Sequence, residues 1–388
     1  MRIAVVGGGP GGLCLAVWAR RLDPAGEVTV WERNQVGGTF GFGVVFSAGA
    51  LRDLEETDPV LYDGVVAESA RWTDIAVHYR GEAVRSGGHG FAAVSRKALL
   101  RLLHRRCARA GVHLRFGEQA PPLERLAVEY DLVVAADGAN SGVRSGLSEA
   151  FGTTLDTRSS RYIWLAVDRP FDALTFLIAE TGHGVLHGHA YPFSAERSTF
   201  IVEAGERVWR ASGFGASTAG PTADGSDRSA VERLGEVFAG DLDGHRLTGN
   251  RSRWQRFTVV RNRRWWQRNL ALVGDAAHTT HFSVGSGTKL AMEDALALAD
   301  SLREHDCFGD GPLEAALADY ERRRAPAVAA AQRAAQVSLE WFEDIDRAVG
   351  RDAPGFAFEL LTRGGRLSRS DLTFAVRPPE TDFQGEII

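Results

Sequence analysis

The chain has 388 residues, of which 44% are hydrophobic and 24% are charged, and this composition is typical of a globular protein. A chain of this length suits two domains better than one. The formal net charge of -5 argues against nucleic acid as the main partner, because neutralising phosphates requires a basic surface.

The cysteines of the chain are few and far apart. Cys14, Cys107 and Cys307 form no CxxC pair, so we expect no disulfide, no metal site and a reducing compartment. No basic and then apolar leader precedes the first predicted strand, and no apolar run reaches about 18 residues. These features predict a cytoplasmic protein without a membrane partner. We expect a monomer or a homodimer.

The first predicted element is a strand that leads into a glycine-rich turn. Residues 2–6 are apolar and largely β-branched, and Gly7-x-Gly9-x-x-Gly12 follows, then a stretch with helical spacing. Strand, turn and helix in this order form the dinucleotide-binding fingerprint. Gly7 permits the tight turn, Gly9 lets the backbone approach a pyrophosphate, and Gly12 lets the helix pack closely with its amides facing the phosphates. The alternative is a glycine-rich turn that binds nothing.

The second predicted strand, at residues 28–31, ends at an acid. Glu32 lies about 20 residues beyond the last glycine, where a carboxylate can accept a hydrogen bond from a ribose hydroxyl. The following elements are predicted from apolar periodicity. They are a helix at 96–103, strands at 112–116 and 132–136, strands at 161–167, 174–179, 185–191 and 198–202, a surface loop at 213–228, a strand at 270–273 and a helix at 288–302.

The pattern of these elements predicts a nucleotide-binding domain split around an inserted sheet. We expect its two parts at residues 1–150 and 266–345, the second with long helices, and a β-rich substrate domain at 151–265. Residues 346–388 are expected to form a C-terminal tail. The inserted strands are predicted to form an antiparallel sheet with one buried face.

Two further motifs combine a glycine with an acid. Asp137-Gly138 follows the strand at 132–136, and Gly274-Asp275 follows the strand at 270–273, with Gly285-Ser286-Gly287 ahead of the next helix. With these motifs in this order, residues 1–345 resemble the single-component FAD-dependent aromatic hydroxylases of the para-hydroxybenzoate hydroxylase type. The resemblance implies an α/β fold with a Rossmann-like, split FAD-binding domain of the GR2 type, an inserted antiparallel substrate sheet and a C-terminal helical segment.

The resemblance also implies how FAD is held. Glu32 would bind the adenosine ribose, Arg96 would lie along the FAD, and Asp275 would bind the ribityl chain. Asp137-Gly138 would contact the pyrophosphate and, transiently, NADH or NADPH. The predicted cofactor-binding residues are Gly7, Gly9, Gly11, Gly12, Glu32, Arg33, Arg96, Asp137, Gly138, Gly274, Asp275, Gly285, Gly287 and Thr288.

Elementary physics supports one of these roles directly. Asp275 closes a predicted buried strand, where an isolated carboxylate is costly unless ligand hydroxyls or backbone donors satisfy it. The segment 283–288 opens a helix, and its free amides can face anionic oxygens of a flavin. The alternative for Asp275 is an ordinary helix N-cap.

A narrower resemblance rests on segments 39–47, 86–91, 161–164, 189–191, 198–203 and 281–289. These are similar to the branch that contains salicylyl-CoA 5-hydroxylase, anthraniloyl-CoA monooxygenase and the violacein-pathway tryptophan hydroxylase. His281-Phe282 stands where the broader family has a Pro-Pro pair, and Lys289 replaces a customary Asn. The branch implies that NAD(P)H and O2 hydroxylate an electron-rich aromatic ring through an FAD C4a-hydroperoxide.

The resemblance favours an aryl-CoA thioester, such as a salicyloyl or anthraniloyl one, over a free small aromatic substrate. Three alternatives stay open: an indole of a secondary-metabolite pathway, a flavoenzyme that depends on a separate reductase, and a catalytically silent flavin-binding regulator. The Trp-x-Trp-x-Ile-Pro segment of flavin halogenases is absent from the sequence.

Three polar residues alternate along the predicted strand at 185–191. His187, His189 and Tyr191 therefore point to the same face of a sheet, where they could orient a phenol or amine or take its proton. The alternative is a set of satisfied polar groups in the core. The predicted catalytic residues are His189, Tyr191 and His281, whereas His278 is expected to be structural.

The densest basic segment interleaves with Trp254, Trp265 and Trp266. Its arginines could grip CoA phosphates or the pyrophosphate of NAD(P)H. The alternative is a solvated segment that pairs with nearby acids. The arginines concerned are Arg251, Arg253, Arg256, Arg261, Arg263, Arg264 and Arg268.

Overall fold

The computed structural model describes residues 1–215, 222–365, 372 and 374–377. Residues 216–221 of the predicted loop at 213–228, and most of the predicted tail after 365, lie outside the described residues. The strands are β1 (Arg2–Val6), β2 (Glu27–Glu32), β3 (Gly43–Ser47), β4 (Ala70–Trp72), β5 (Ile75–Tyr79), β6 (Glu82–Ser86), β7 (Phe91–Ser95), β8 (His113–Phe116), β9 (Leu132–Ala135), β10 (Thr154–Val167), β11 (Leu174–Thr181), β12 (Gly184–Pro192), β13 (Ser198–Ala204), β14 (Leu247–Thr248), β15 (Gln255–Arg261), β16 (Trp266–Gln267), β17 (Leu270–Leu272) and β18 (Phe374–Arg377).

Helices connect most of these strands. They are α1 (Pro10–Leu22), α2 (Ala48–Thr57), α3 (Pro59–Ala67), α4 (Arg96–Arg109), α5 (Leu123–Glu129), α6 (Gly142–Gly146), α7 (Ser148–Phe151), α8 (Glu206–Ala211), α9 (Arg228–Val237), α10 (Ala239–Leu242), α11 (Gly287–Glu304), α12 (Leu313–Glu343) and α13 (Ala353–Thr362). Short 3-10 helices lie at Gly274–Ala276, Phe282–Val284 and Ile345–Arg347. Among the residues described, no helix is long and apolar enough to cross a bilayer.

The chain divides into two compact units. Unit 1 comprises Met1–Ser69, Ala93–Ser159 and Arg256–Leu339, and unit 2 comprises Ala70–Ala92, Ser160–Gln255 and the chain from Glu340. The segment 70–92, which the sequence analysis grouped with residues 1–150, thus packs within unit 2. The reason is a non-local pairing: β5 lies beside β11, with Ile75 opposite Leu174. The functional assignment of these parts remains a prediction.

Unit 1 is built on a twisted sheet with the strand order β16-β17-β9-β1-β2-β8. All pairs are parallel except the edge pair of β16 with β17. Val5 of β1 lies between Val30 of β2 and Val134 of β9, and all three are buried. Parallel strands covered on both faces carry continuous apolar runs, which is why periodicity identified them. Their carboxyl ends meet at one edge, so the turns after β1, β9 and β17 are neighbours.

Unit 2 contains a mixed sheet with the order β14-β10-β13-β12-β11-β5-β6-β18. Its pairs are antiparallel except β5 with β11. The backbone of β18 adds the edge strand, within the predicted tail.

The expectation of one buried face is wrong for the central strands, because β12 and β13 are buried along nearly their whole length. Alternate residues of β11 explain this burial. Leu177 belongs to an apolar cluster with Leu234 of α9, whereas Phe176 belongs to a second cluster with Phe356 of α13. Helices therefore cover both faces of the sheet in unit 2.

Candidate FAD site and substrate-facing residues

The glycines of the opening turn have different reasons to be glycine. Gly7 has φ of +111°, and a Cβ there would lie 2.3 Å from the carbonyl oxygen of Ala136. A Cβ on Gly12 would lie 2.4 Å from the carbonyl oxygen of Gly7. The close packing of β1, α1 and β9 therefore requires both glycines before any ligand is considered.

Gly9 is different because the protein itself does not require a glycine there. Its φ of -77° is open to any residue, and a Cβ would meet nothing within 4 Å. Gly9 precedes α1, whose first amides lack partners within the helix. The turn thus leaves a cradle that a side chain would fill, beside amides that favour an anion. These residues fit the pyrophosphate of a dinucleotide.

Gly11 has a packing reason instead. A Cβ there would lie 3.0 Å from the carbonyl oxygen of Ala291 and 3.2 Å from its Cβ, on α11. Gly11 therefore lets α1 and α11 approach closely. Its predicted contact with the cofactor remains a prediction.

Glu32 ends β2 and is held by backbone donors. Its Oε2 accepts from the amide of Gly8 at 2.9 Å, and its Oε1 accepts from the amide of Asn34 at 2.8 Å. A carboxylate fixed in this way keeps lone pairs for a ribose hydroxyl. Arg33, by contrast, is exposed and does not line the cleft beside Glu32.

That cleft has a cavity volume of about 110 Å³ and is partly open to solvent. It is lined by Gly8, Gly9, Glu32, Asn34, Gln35, Gly37, Gly38, Thr39, Phe40, Arg96, Leu100, His104 and Phe116. Arg96 begins α4, and its Nε donates to Oγ1 of Thr39 at 3.1 Å. The structure thus brings together Gly9, Glu32 and Arg96, all predicted from sequence.

Asp137 faces a helix rather than open space. Its Oδ2 accepts from the amides of Gly142 at 2.9 Å and Val143 at 3.4 Å, at the start of α6. The neighbouring Gly138 has φ of +85° and open space around its missing Cβ. The carboxylate therefore shapes the turn, while the predicted contacts of Asp137-Gly138 with pyrophosphate and NAD(P)H remain predictions.

Sequence reasoning assigned no role to Arg144. This side chain is 2% exposed, and it donates to the carbonyl oxygens of Ala139 at 2.7 Å and Ala276 at 3.2 Å. Burial lowers the pKa of Arg144, and the nearby Asp137 partly offsets this. One guanidinium thus ties the turn after β9 to the turn after β17.

Asp275 is exposed, contrary to the buried carboxylate expected from sequence. Surrounding protein still raises the pKa of Asp275 by desolvation, while the charges of His278 and Arg96 oppose the rise. Within residues 1–215 and 222–365, no hydrogen bond to this carboxylate is found, and it caps no helix. A carboxylate that is crowded yet open to solvent is typical of a cleft wall, and it can accept hydrogen bonds from ligand hydroxyls.

Asp294 of α11 supports the same turn from inside. It is 0% exposed, and its Oδ2 accepts from the amide of Gly274 at 3.0 Å and pairs with Nε2 of His278 at 2.7 Å. Its Oδ1 accepts from Nε of Arg324 at 2.8 Å. Burial alone would raise the pKa of Asp294, but the charges and hydrogen bonds of His278 and Arg324 lower it overall. His278 therefore has the structural position that we expected.

The segment before α11 forms a compact turn. Nδ1 of His281 lies 2.8 Å from the hydroxyl of Ser283, which lies 2.8 Å from that of Ser338. His281 is buried and packs edge-on against Phe257 at 4.9 Å. A Cβ on Gly287 would meet nothing within 4 Å.

The remaining predicted residues of this turn begin α11. Gly285 has φ of +59°, and Gly287 and Thr288 open the helix with amides that have no acceptor in its preceding turn. Lys289, at the position of the family's Asn, pairs with Glu293 and with Asp53 at 3.2 Å. Free amides at this turn fit anionic oxygens of a cofactor.

The alternating residues of β12 do share one face, in unit 2. Rings of His187 and His189 lie 5.3 Å apart, and Tyr191 stacks against Trp72 at 6.2 Å. Nε2 of His187 lies 3.2 Å from Oε2 of Glu203, which is directly opposite on β13.

A ligand-type cluster in unit 2 was not anticipated from the sequence. Ligand atoms of His187, His189 and Glu203 all lie within 4.8 Å of one another. Glu203 was missed although a signal existed, because it stands in the otherwise apolar run 200–204.

Three arginines of the basic segment differ from the alternative of pairing with nearby acids. Among the residues described, Arg263, Arg264 and Arg268 of unit 1 are exposed and form no salt bridge. Arg253 of unit 2 donates to the carbonyl oxygen of Gly225 at 2.9 Å. These cations remain available for an anionic partner.

Comparisons with known proteins agree with this geometry. A family model described as FAD binding domain matches residues 117–335. Salicyloyl-CoA 5-hydroxylase from a Streptomyces species is 44% identical over 382 residues, covering 97% of this chain and 73% of that protein. A 3-hydroxy-4-methyl-anthranilyl-(aryl-carrier protein) 5-monooxygenase from Streptosporangium sibiricum is 41% identical, covering 96% of this chain and 97% of that protein. The chain belongs to the FAD-dependent aromatic monooxygenases.

A further relative and a solved structure of similar fold match less strongly. Protodeoxyviolaceinate monooxygenase from Chromobacterium violaceum is 30% identical, covering 89% of this chain and 90% of that protein. The tetrameric form of 2-methyl-3-hydroxypyridine-5-carboxylic acid oxygenase superposes with a TM-score of 0.70 at 21% identity, covering 96% of this chain and 99% of that chain. The resemblance and fold class expected from sequence are thus confirmed, as is FAD as the cofactor, with NAD(P)H the electron donor typical of the family.

Proposed function

We propose that this flavoenzyme uses NAD(P)H and O2 to hydroxylate an electron-rich aromatic ring that is carried as a CoA thioester, such as salicyloyl-CoA or anthraniloyl-CoA. The observation that carries the proposal is the 44% identity to salicyloyl-CoA 5-hydroxylase across 97% of this chain. A second candidate is an aryl group on a carrier protein, favoured by the relative that matches over 97% of its own length. Both thioesters present the same type of ring to the enzyme.

FAD, when bound, supplies the electron transfer and oxygen activation that amino-acid side chains lack. The chain's part is to hold it. The cradle at Gly9 receives the pyrophosphate, Glu32 accepts from the ribose, and Arg96 offers its positive charge along the cofactor. Asp275 accepts from the ribityl hydroxyls, which is supported by its exposed carboxylate, since no hydrogen bond to it is found among the described residues.

His189, Tyr191 and His281 are proposed to orient the aromatic ring. Support comes from their burial, since a water-free surrounding strengthens hydrogen bonds to a ring hydroxyl or amine. The exposed arginines at 263, 264 and 268 are proposed to receive the phosphates of CoA, because they are cations without carboxylate partners in the part of the chain described.

A substrate panel tests the proposal. Free salicylate and anthranilate, their CoA thioesters, the same acyl groups on a carrier protein, and indoles are each mixed with enzyme, NADH or NADPH and O2. We expect the CoA thioesters to stimulate NAD(P)H oxidation and to yield a product heavier by one oxygen atom. Product only from the carrier-bound acids, or only from indoles, would contradict the CoA assignment. FAD binding without any stimulation would favour a regulator instead.

A further inference from the structure

The turn at residues 281–285, just before α11, is held by hydroxyl groups at its base and at its middle. At the base, Oγ1 of Thr280 lies 3.3 Å from Oγ of Ser286, and both residues are buried. At the middle, Oγ of Ser283 lies 2.8 Å from Oγ of Ser338, which belongs to α12 and is 1% exposed. All of these residues belong to unit 1. The turn is therefore tied to a neighbouring helix.

The residue types of this turn do not fix its backbone. His281 has φ of -57°, within the range that a proline ring would enforce, but histidine is free to leave it. Gly285 has φ of +59°, which glycine adopts easily but which its own structure does not impose. Contacts with the surrounding protein must therefore determine the shape of the turn.

The contact between Ser283 and Ser338 continues to an imidazole. Nδ1 of His281 lies 2.8 Å from Oγ of Ser283, so a chain of three polar groups runs from α12 to the ring. Both separations are close to those of well-formed hydrogen bonds. His281 is 2% exposed and packs edge-on against Phe257 at 4.9 Å. Buried polar chains of this kind rigidify their surroundings, so α12 restrains both the turn and the imidazole.

The turn leads directly to the amides of the proposed cofactor site. Ser286 precedes α11 and is of a residue type that often caps a helix, yet its side chain makes no cap hydrogen bond. Its hydroxyl faces Thr280 instead. The amides of Gly287 and Thr288 thus keep their hydrogen-bonding capacity for an anionic oxygen, at the positive end of the helix dipole. Any shift of the turn would move these amides with it.

We propose that Ser338 is a positioning residue for the flavin: through Ser283 it holds the turn at 281–285 in the shape that aims the first amides of α11 at the cofactor. This rests on the proposed contact of those amides with FAD, and it does not depend on which aromatic substrate is used. A turn that is already in shape costs less free energy to order when FAD binds. Reduced FAD carries more negative charge on its ring than oxidised FAD, so well-aimed amides stabilise the reduced form more.

The test measures the dissociation constant of FAD for wild type, Ser338→Ala, Ser283→Ala and a matched control, Ser301→Ala. Ser301 is a buried serine of α11 that donates to Oδ2 of Asp319 at 3.0 Å. It lies about 20 Å along the helix from Thr288, at about 1.5 Å per residue. We expect Ser338→Ala and Ser283→Ala each to weaken binding of oxidised FAD about fivefold, as loss of one hydrogen bond would. The control should bind FAD as wild type does.

A second measurement separates positioning from mere packing. Ser338→Ala and Ser301→Ala each remove one buried hydroxyl from a long helix, so both should lower the melting temperature of the FAD-free protein. Only Ser338→Ala should lose more affinity for reduced than for oxidised FAD, seen as a more negative midpoint potential of the bound flavin in a spectroscopic titration. The double variant Ser283→Ala/Ser338→Ala should bind FAD as Ser283→Ala does, because both changes break one chain.

The remaining outcomes would overturn the assignment. Wild-type FAD affinity and midpoint potential in folded Ser338→Ala would show that the turn keeps its shape without α12, and would leave the proposed function intact. Ser283→Ala, at a partly buried position, serves if Ser338→Ala does not fold. Equal weakening in Ser301→Ala would indicate general loosening of unit 1. Unchanged FAD binding in Gly287→Val, where a Cβ meets nothing within 4 Å, would refute the contact of these amides with FAD itself.

Discussion

The two units differ in how they treat their polar groups. In unit 1, the turns after parallel strands leave backbone and carboxylate groups facing open space, as Gly9 and Asp275 do. In unit 2, polar side chains such as His187 and Glu203 face each other across neighbouring strands. The first arrangement is prepared for a ligand with many polar atoms of its own. The second is closed, because both side chains are buried and bond to each other.

The largest expected effect tests whether the stability of unit 1 depends on the buried hydrogen bonds of Asp294 with His278 and Arg324. Asp294→Ala should lower the free energy of unfolding by about 3–5 kcal/mol, because it leaves His278 buried without its partner and Arg324 with Glu293 alone. Urea unfolding of the FAD-free protein measures this. Asp300→Ala, a half-exposed acid on the same helix, is the control and should change little. Equal losses of unfolding free energy in the two variants would contradict a stabilising role for these hydrogen bonds.

The same carboxylate predicts a pH dependence. Because its pKa lies below the ordinary value, the contribution of Asp294 to stability is present above that value and is lost as the pH falls through the lowered pKa. The difference in stability between wild type and Asp294→Asn should therefore persist at neutral pH and shrink only in acid. A difference that is constant down to acid pH would show that ionisation of Asp294 is irrelevant.

Gly9→Val should abolish most FAD binding without unfolding unit 1. We expect the dissociation constant for FAD to rise at least about 100-fold, because the side chain fills the cradle of the pyrophosphate. The melting temperature of the FAD-free protein should not change, since a Cβ there meets nothing within 4 Å. Gly12→Ala, by contrast, should lower the melting temperature of the FAD-free protein. Full FAD occupancy in Gly9→Val would refute the proposal that the pyrophosphate binds at Gly9.

His189→Ala tests the proposal that His189 of unit 2 orients the substrate ring. The variant should keep FAD but divert NAD(P)H oxidation to hydrogen peroxide, because a ring held about 1 Å out of line can lose up to about 100-fold in transfer rate. Peroxide and hydroxylated product are measured together with the authentic substrate. His183→Ala, an exposed histidine just before β12, is the matched control. If His189→Ala couples NAD(P)H oxidation to hydroxylation as well as wild type does, His189 is a core residue and does not orient the ring.

The smallest effect concerns the open carboxylate of unit 1. Asp275→Asn should weaken FAD binding by about tenfold, since an amide accepts less strongly from the ribityl hydroxyls. Because desolvation raises the pKa of Asp275, its ionised form costs stability at neutral pH, so the FAD-free variant should unfold at a higher temperature. That gain should disappear as the pH falls through the raised pKa. An unchanged FAD dissociation constant would contradict the ribityl contact.

The sequence predicted unit 1 better than unit 2 for a physical reason. A glycine or an acid directly after a buried strand is a local pattern, and parallel strands bring their ends together wherever they lie in the chain. Gly9, Glu32 and Asp275 were therefore predicted as site residues from their immediate neighbours. Arg144 and Asp294 were missed because they bond to groups distant in sequence, Ala276 for Arg144 and Arg324 for Asp294. An acid on the apolar face of α11, four residues after Leu290, was nevertheless a sign in the sequence.

In unit 2 the missing information was the register between strands. Periodicity placed β11, β12 and β13 correctly, but it does not show that Ile75 of β5 lies beside Leu174 of β11 or that Glu203 lies opposite His187. Those pairings depend on contacts distant in sequence. The same limit explains why both faces of the central strands are buried, since the covering helices come from separate segments.

The open space at Gly9 has a practical consequence for anyone who engineers this enzyme. A screen that ranks variants by thermal tolerance of the colourless, flavin-free protein would accept many residues at position 9 and would reward neutral replacements of Asp275. Both kinds of substitution weaken FAD binding. Selection for robustness would then enrich well-folded but inactive catalysts, unless every round is scored with the yellow holoenzyme.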